Sequence, residues 1–223
     1  MDATKRLLAL VIEMITVPAE VNDKKCRAVF DVVSETHGIS NFSSDGSAVQ
    51  MSSKQGKKGM VKYIIMKDRV IASYEFCENS MNYYRGLVSD FIRVLSENTG
   101  ISGFLMQNIT IRRLINIPGI ADSRDYIIRN MLSFDEKNMA CFARPLHMFG
   151  TRIFFPAVQG DTSSYDAKIE TSMDDYKTFF VENRGIFPQA FDARKGISLL
   201  DANIEKTEEF INKNIMEFIT QFI

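Results

Sequence analysis

Residues 47–53 (SAVQMSS), 59–68 (GMVKYIIMKD) and 69–76 (RVIASYEF), followed by 80–100 (SMNYYRGLVSDFIRVLSENTG), decide the fold of this chain. Each of the first three alternates apolar and polar residues or runs apolar between turn-forming residues, which is the signature of half-buried strands. The fourth carries Tyr84, Leu87, Val88, Phe91, Ile92 and Leu95 at helical spacing. Asn79 or Ser80 stands at its start and Gly100 at its end, the residue types that start and stop a helix. Gly86 inside it weakens the helix by up to about 1 kcal/mol, and we expect a close packing contact to require it.

The same order recurs downstream. TRIFFPAV (151–158), DAKIETS (166–172) and KTFFVEN (177–183) precede SLLDANIEKTEEFINKNIMEFITQFI (198–223). Strand series followed by a long amphipathic helix predict an α+β protein, with antiparallel-rich mixed sheets covered by helices on one face. We place a division at Pro118-Gly119. It gives an N-terminal half, 1–118, and a C-terminal half, 119–223, either of one continuous domain or of two subdomains.

Outward from these segments, 6–17 reads as a first strand, apolar on both faces and therefore central. Lys5, Arg6, the apolar run after them and Val17-Pro18-Ala19 imitate a secretory signal, but Glu13 breaks the run where a signal is least polar. A helix is expected at 22–37, capped by Asn22 or Asp23 and stopped by Gly38. His37 beside that stop would favour the helix dipole as an imidazolium. Residues 43–59 are weakly patterned and read as a short strand at 47–52 and a Gly/Lys loop. A hairpin follows at 60–66 and 69–76, then a strand at 104–117. Asp122 caps a helix over 122–132, and a strand is expected near 139–149. In the last helix Ser198 and Asp201 suggest a capping box. Leu200, Ile204, Ile211, Ile215, Phe218 and Phe222 make its apolar stripe, docking on the chain's own sheet or, as the alternative, on a second copy in a homodimer.

Composition narrows function by exclusion. The 223 residues are 45% hydrophobic and 25% charged with a net charge of −1, ordinary values for a folded chain with no overall pull toward polyanions. Charge is unevenly spread: residues 51–152 hold 15 Lys/Arg against 9 Asp/Glu. Three scattered cysteines and two histidines fit a reducing compartment better than a disulfide framework or a zinc site. With no apolar stretch long enough to span a bilayer, we expect a cytoplasmic protein. No metal or cofactor is implied by any motif; Gln55-Gly56-Lys57-Lys58-Gly59 lacks the spacing of a nucleotide-binding loop.

The most unusual local feature is the strand ITIRRLINI at 109–117. Strand parity puts Arg113 among isoleucines on one face and Asn108, Thr110, Arg112 and Asn116 on the other. An isolated buried charge is costly, so we expect Arg113 to pair with Glu13, the charge inside the other apolar strand. The Asn108–Thr110–Arg112–Asn116 face is the candidate ligand platform.

The leading expectation is a non-catalytic interaction or regulatory protein, whose partner is a protein or a small polar or anionic ligand engaging that face. A second is a nucleic-acid-associated factor in which Lys54, Lys57, Lys58 and Lys62 contact phosphates beside Tyr63, Tyr74, Tyr83 and Tyr84. A third is a metal-dependent hydrolase using Asp161, Asp166, Lys168 and Glu170.

Overall fold

A computed structural model describes residues 3–134, 136–193 and 195–223. Its centre is one antiparallel sheet of ten strands. The strands are β1 (Thr4–Thr16), β2 (Asn41–Ser44), β3 (Ala48–Gln55), β4 (Gly59–Met66), β5 (Arg69–Glu75), β6 (Gly103–Asn116), β7 (Gly150–Phe155), β8 (Ser164–Thr171), β9 (Thr178–Phe187) and the short β10 (Phe191–Asp192). They lie in the order β2-β3-β4-β5-β1-β6-β9-β8-β7, with β10 pairing the start of β6. The two longest strands, β1 and β6, pair at the middle of the sheet. On its other side β1 pairs β5, and β6 pairs β9. Pro118 and Gly119 sit in the turn that follows β6.

The helices are α1 (Asp23–His37), α2 (Met81–Thr99), α3 (Ser123–Tyr126), α4 (Glu136–Ala140), α5 (Ile197–Phe210) and α6 (Met216–Thr220). The caps of α1 and α2 follow the sequence. Asn22 Oδ1 accepts from Lys25 N, Ser80 Oγ accepts from Tyr83 N, and Gly38 and Gly100 end the helices in the left-handed region, where a residue without Cβ is unstrained. Asp122 caps α3 as expected. The start of α5 differs. Gly196 is its cap and no side chain bonds there, so the Ser198/Asp201 box does not form.

Period-two burial shows how the layers divide. In β4, Val61, Tyr63 and Ile65 are buried while Lys62, Ile64 and Met66 are partly exposed. In β1, Leu10, Ile12 and Met14 are buried while Val11, Glu13 and Ile15 are not. The buried set meets α1, α2 and α5 in one continuous core. Tyr63, Phe91, Phe179 and Leu10 are among its fully buried members, each side chain worth about 1.5–3 kcal/mol of burial. Among the described residues no helix lies over the alternate set, which forms an open face.

Several expectations are corrected. Residues 139–149 are not a strand: α4 occupies their start and irregular chain the rest. Beside β3, the strand β2 leaves no signal in the pattern because Asn41–Ser44 is short and polar. Gln55 and Gly59 close a tight hairpin in place of a long loop. Gly86 is exposed, and a Cβ there would meet nothing within 4 Å, so packing does not require it. In the last helix Thr207, Ile211, Ile215 and Ile219 are buried, a spacing of four that drifts around a regular helix of 3.6 residues per turn. A π-turn at Ile211–Ile215 absorbs the drift. It brings Ile219 inward and leaves Phe222 37% exposed, whereas the regular stripe put Phe218 and Phe222 inward.

Candidate functional site

β6 carries the candidate residues because it is paired on both sides and cannot slip. Its register with β9 sets Asn108 opposite Ile186, Thr110 opposite Arg184, Arg112 opposite Glu182, Leu114 opposite Phe180 and Asn116 opposite Thr178. Against β1, Asn108 faces Glu13 and Thr110 faces Val11. The side chains of Asn108, Thr110, Arg112, Leu114 and Asn116 therefore stand in one row on the open face.

This row is knitted to its neighbours by charge. Arg112 Nε donates to Glu182 Oε2 at 2.6 Å, and its Nη1 reaches Glu75 Oε1 at 3.4 Å. Glu13 accepts from Arg69 Nη1 at 2.7 Å and from Asn108 Nδ2 at 2.8 Å, with Arg184 Nη2 at 3.7 Å. Farther along, Arg152 grips Asp166 through two nitrogens, and Lys168 Nζ lies 3.0 Å from Glu170. The Arg152 guanidinium holds the Asp166 carboxyl below its usual range. Asn116, at the end of the row, donates to the Lys177 carbonyl at 3.3 Å. Thr110 lies between Val11 and Arg184 in register. Ile15, Ile71, Leu114, Phe180 and Ile186 are interleaved with these groups, each half-buried.

Arg113 does turn inward, 9% exposed among buried isoleucines. Its partner is not Glu13. Leu7 stands opposite Arg113 in the register, and Glu13 projects from the other face of the sheet. The guanidinium instead pairs with Glu208 of α5, which crosses the buried face. The apolar stripe read from the sequence leaves Glu208 out, and only the crossing of α5 over β6 brings the two charges together. Arg113 Nε stays buried without a partner. Beside the pair, Lys5 Nζ donates to Asn212 Oδ1 at 3.2 Å. Burial and then the Arg113 guanidinium lower the Lys5 pKa, against the pull of Glu208.

The buried face holds polar groups that patterning missed. Gln107, Asn183, Asn203 and Thr207 are each 0–1% exposed where α5 crosses β6 and β9. Asn203 Nδ2 donates to Gln107 Oε1 at 3.2 Å, and Asn183 Nδ2 to the Thr207 carbonyl at 3.0 Å. Gly185 lets the helix approach there: a Cβ at that position would strike Thr207 and Phe187. His37 is also in the core. Its Nδ1 is 2.8 Å from Tyr63 Oη, which is 3.2 Å from Tyr74 Oη. Burial lowers its pKa, opposed by Asp90 and aided by Arg93. In place of the solvated imidazolium expected beside the helix stop, the ring lies in the core, where burial disfavours its charged form.

The lysines of the second expectation divide by position. Lys54 and Lys62 project on the open face, while Lys57 and Lys58 sit at the tip of the β3–β4 hairpin. Tyr63 and Tyr74 are fully buried on the opposite face and Tyr84 is 3% exposed. Of the hydrolase residues, Asp166, Lys168 and Glu170 share one face of β8, where each is held in an ion pair. Asp166 belongs to Arg152, Lys168 to Glu170, and Asp161 accepts from Ser163 N and Oγ. Among the described residues no three His, Cys, Asp or Glu side chains form a metal-holding group, and no helix is long and apolar enough to cross a membrane.

No protein-family model matches the chain, and no curated protein matches it.

Proposed function

We propose that this is a non-catalytic interaction protein whose open sheet face receives another protein. The observation that carries this reading is the state of Arg112. It lies between Glu75 and Glu182, so a free anion would have to displace two carboxylates to reach it. A protein surface has no such need: it can lie over the satisfied ion pairs and bury the half-exposed Ile71, Leu114, Phe180 and Ile186 between them. Cores of apolar side chains ringed by satisfied polar groups are the usual anatomy of protein interfaces. In this reading the two strand-series-plus-helix halves, 1–118 and 119–223, join through the pairing of β6 with β9 into one receptor surface, working in the cytoplasm.

Site-specific photo-crosslinking in cells that express the protein tests this. A crosslinker at Leu114 or Ile71 is expected to capture a discrete protein, and one at Arg93 on the outer side of α2 is not. Leu114→Asp, with an unchanged melting curve, is expected to abolish capture from Ile71. Equal capture from Arg93, or capture indifferent to Leu114→Asp, would overturn the proposal.

A further inference from the structure

The cations of the open face fall into two groups. Arg69, Arg112, Arg152 and Lys168 each touch a carboxylate. Arg184 lies 3.7 Å from Glu13. Arg6 on β1, opposite Leu114, and Lys54, Lys57, Lys58 and Lys62 touch none among the described residues, and the four lysines are gathered on the β3–β4 hairpin. The carboxylates nearest that hairpin are engaged or set to one side. Glu75, opposite Met60 in the register, accepts from Arg112 and Ser73. Asp68 holds Arg69, and Glu78 lies against Gly56 at the tip. The hairpin therefore carries four lysines in no ion pair against the two flanking carboxylates of Glu75 and Glu78, a local excess of positive charge in a chain whose net charge is −1.

What lies between the lysines identifies what the field is for. Along β4 the open face presents Met60, Lys62 and Ile64 in turn, about 7 Å apart. Ile71 stands beside Ile64 and Lys54 beside Met60. Met60 is 37% exposed, and methionine adapts to varied apolar partners. Single-stranded nucleic acid needs successive rings on which bases stack. Of the tyrosines near these lysines three are buried, and Tyr83, 44% exposed, rises from α2 to line a pocket with Gln55, Gly56 and Met60. Phe76, 50% exposed, borders the same pocket, but Glu75 and Glu78 share its wall, and carboxylates beside both rings oppose a phosphate backbone.

We propose that the β3–β4 end of the open face docks an acidic segment of a partner protein whose carboxylates alternate with apolar side chains. Carboxylates meet Lys54 and Lys62, with Lys57 and Lys58 steering the approach, while apolar residues cover Met60, Ile64 and Ile71. This rests on the sheet-face reading above and names the chemistry of its partner.

The test is fluorescence anisotropy of the full chain with a short labelled peptide of alternating glutamate and leucine. Lys54→Glu combined with Lys62→Glu is expected to weaken binding by about tenfold or more, since two attractions between unlike charges become repulsions between like ones. Met60→Asp should weaken it severalfold, and Lys177→Glu, in the β8–β9 turn, should leave it unchanged. Three results would each overturn the proposal. The probe does not bind, an all-glutamate peptide or a single-stranded oligonucleotide binds as tightly, or the double lysine variant binds as the parent does. Crosslinking from Leu114 separates the outcomes: if it persists while the peptide fails, the partner chemistry is wrong and the sheet-face reading stands.

Discussion

The two faces of the sheet are built from the same strands and alternate residues, yet they handle charge in opposite ways. On the covered face Arg113, His37 and Gln107 are single polar groups in dry surroundings, each with a specific partner. The open face spreads charge over ion pairs whose side chains remain partly wet, such as Arg112 at 33% and Glu182 at 27% exposed. The difference teaches where free energy is concentrated. Removing one group from the covered face strands its partner without water, whereas on the open face solvent takes over.

The sharpest test is at the core aromatic contact. Phe91 is fully buried and stacks on Tyr63 with ring centroids 4.0 Å apart. Phe91→Ala is expected to cost about 3–5 kcal/mol through reduced burial and the cavity left behind, read as a fall in the urea midpoint. The Arg113–Glu208 pair comes next. Glu208→Ala should cost about 3 kcal/mol because it leaves a guanidinium buried and unpaired, while Arg113→Met with Glu208→Leu should recover most of that loss. A Glu208→Ala protein as stable as the parent would show that Arg113 reaches water and that the two faces do not differ as described.

The buried hydroxyl chain gives the third test. Tyr63→Phe strands His37 Nδ1 and Tyr74 Oη and should cost about 1–3 kcal/mol. It also has a pH signature. His37 has a folded pKa below its ordinary 6.5 because of burial, so the unfolded chain binds the proton first. Stability from this group is intact above about pH 6.5 and drains away as pH falls toward the folded value. Urea midpoints between about pH 5 and pH 7 should therefore fall less steeply in His37→Gln than in the parent. Tyr63 works in the other direction: burial raises its pKa, so above the ordinary value of about 10 the unfolded chain gives up the proton first, and stability from this group falls as pH climbs through that range. Smaller again is Gly86→Ala, expected to stabilise α2 by about 1 kcal/mol. Gly86 is exposed and an added methyl meets nothing, so thermal melts should rise.

How much of this contrast the sequence revealed depends on the range of the interaction. Alternation in β4 and β6 located the strands and put Arg112 and Arg113 on opposite faces, because strand parity is local. Helix caps at Asn22, Ser80 and Asp122 were legible for the same reason. Partners were not. Glu208 meets Arg113 from a helix 95 positions away, a pairing set by where α5 crosses the sheet and not by any local pattern. Glu13 and Arg113 both lie in apolar runs, but parity within each strand says nothing about which faces coincide; only the β1–β6 register does, with its bulge between Leu7 and Ala9. Tyr63, Tyr74 and Tyr84 are close to the basic hairpin in sequence but buried under the helices in space.

The smallest expected effect bears most directly on the open face. Arg112 and Glu182 form a 2.6 Å hydrogen bond that geometry alone would rank as strong. Both side chains are partly solvated, and Arg112 has a second carboxylate in Glu75. A double-mutant cycle with Arg112→Ala and Glu182→Ala should therefore give a coupling of no more than about 1 kcal/mol. That coupling should shrink as salt is raised, since exposed pairs are screened. A coupling as large as that of Arg113 with Glu208 would mean that the open face is already desolvated in the isolated chain. It would then have little left to gain from burial under a partner, and the reading of that face as a receptor surface would lose its driving force.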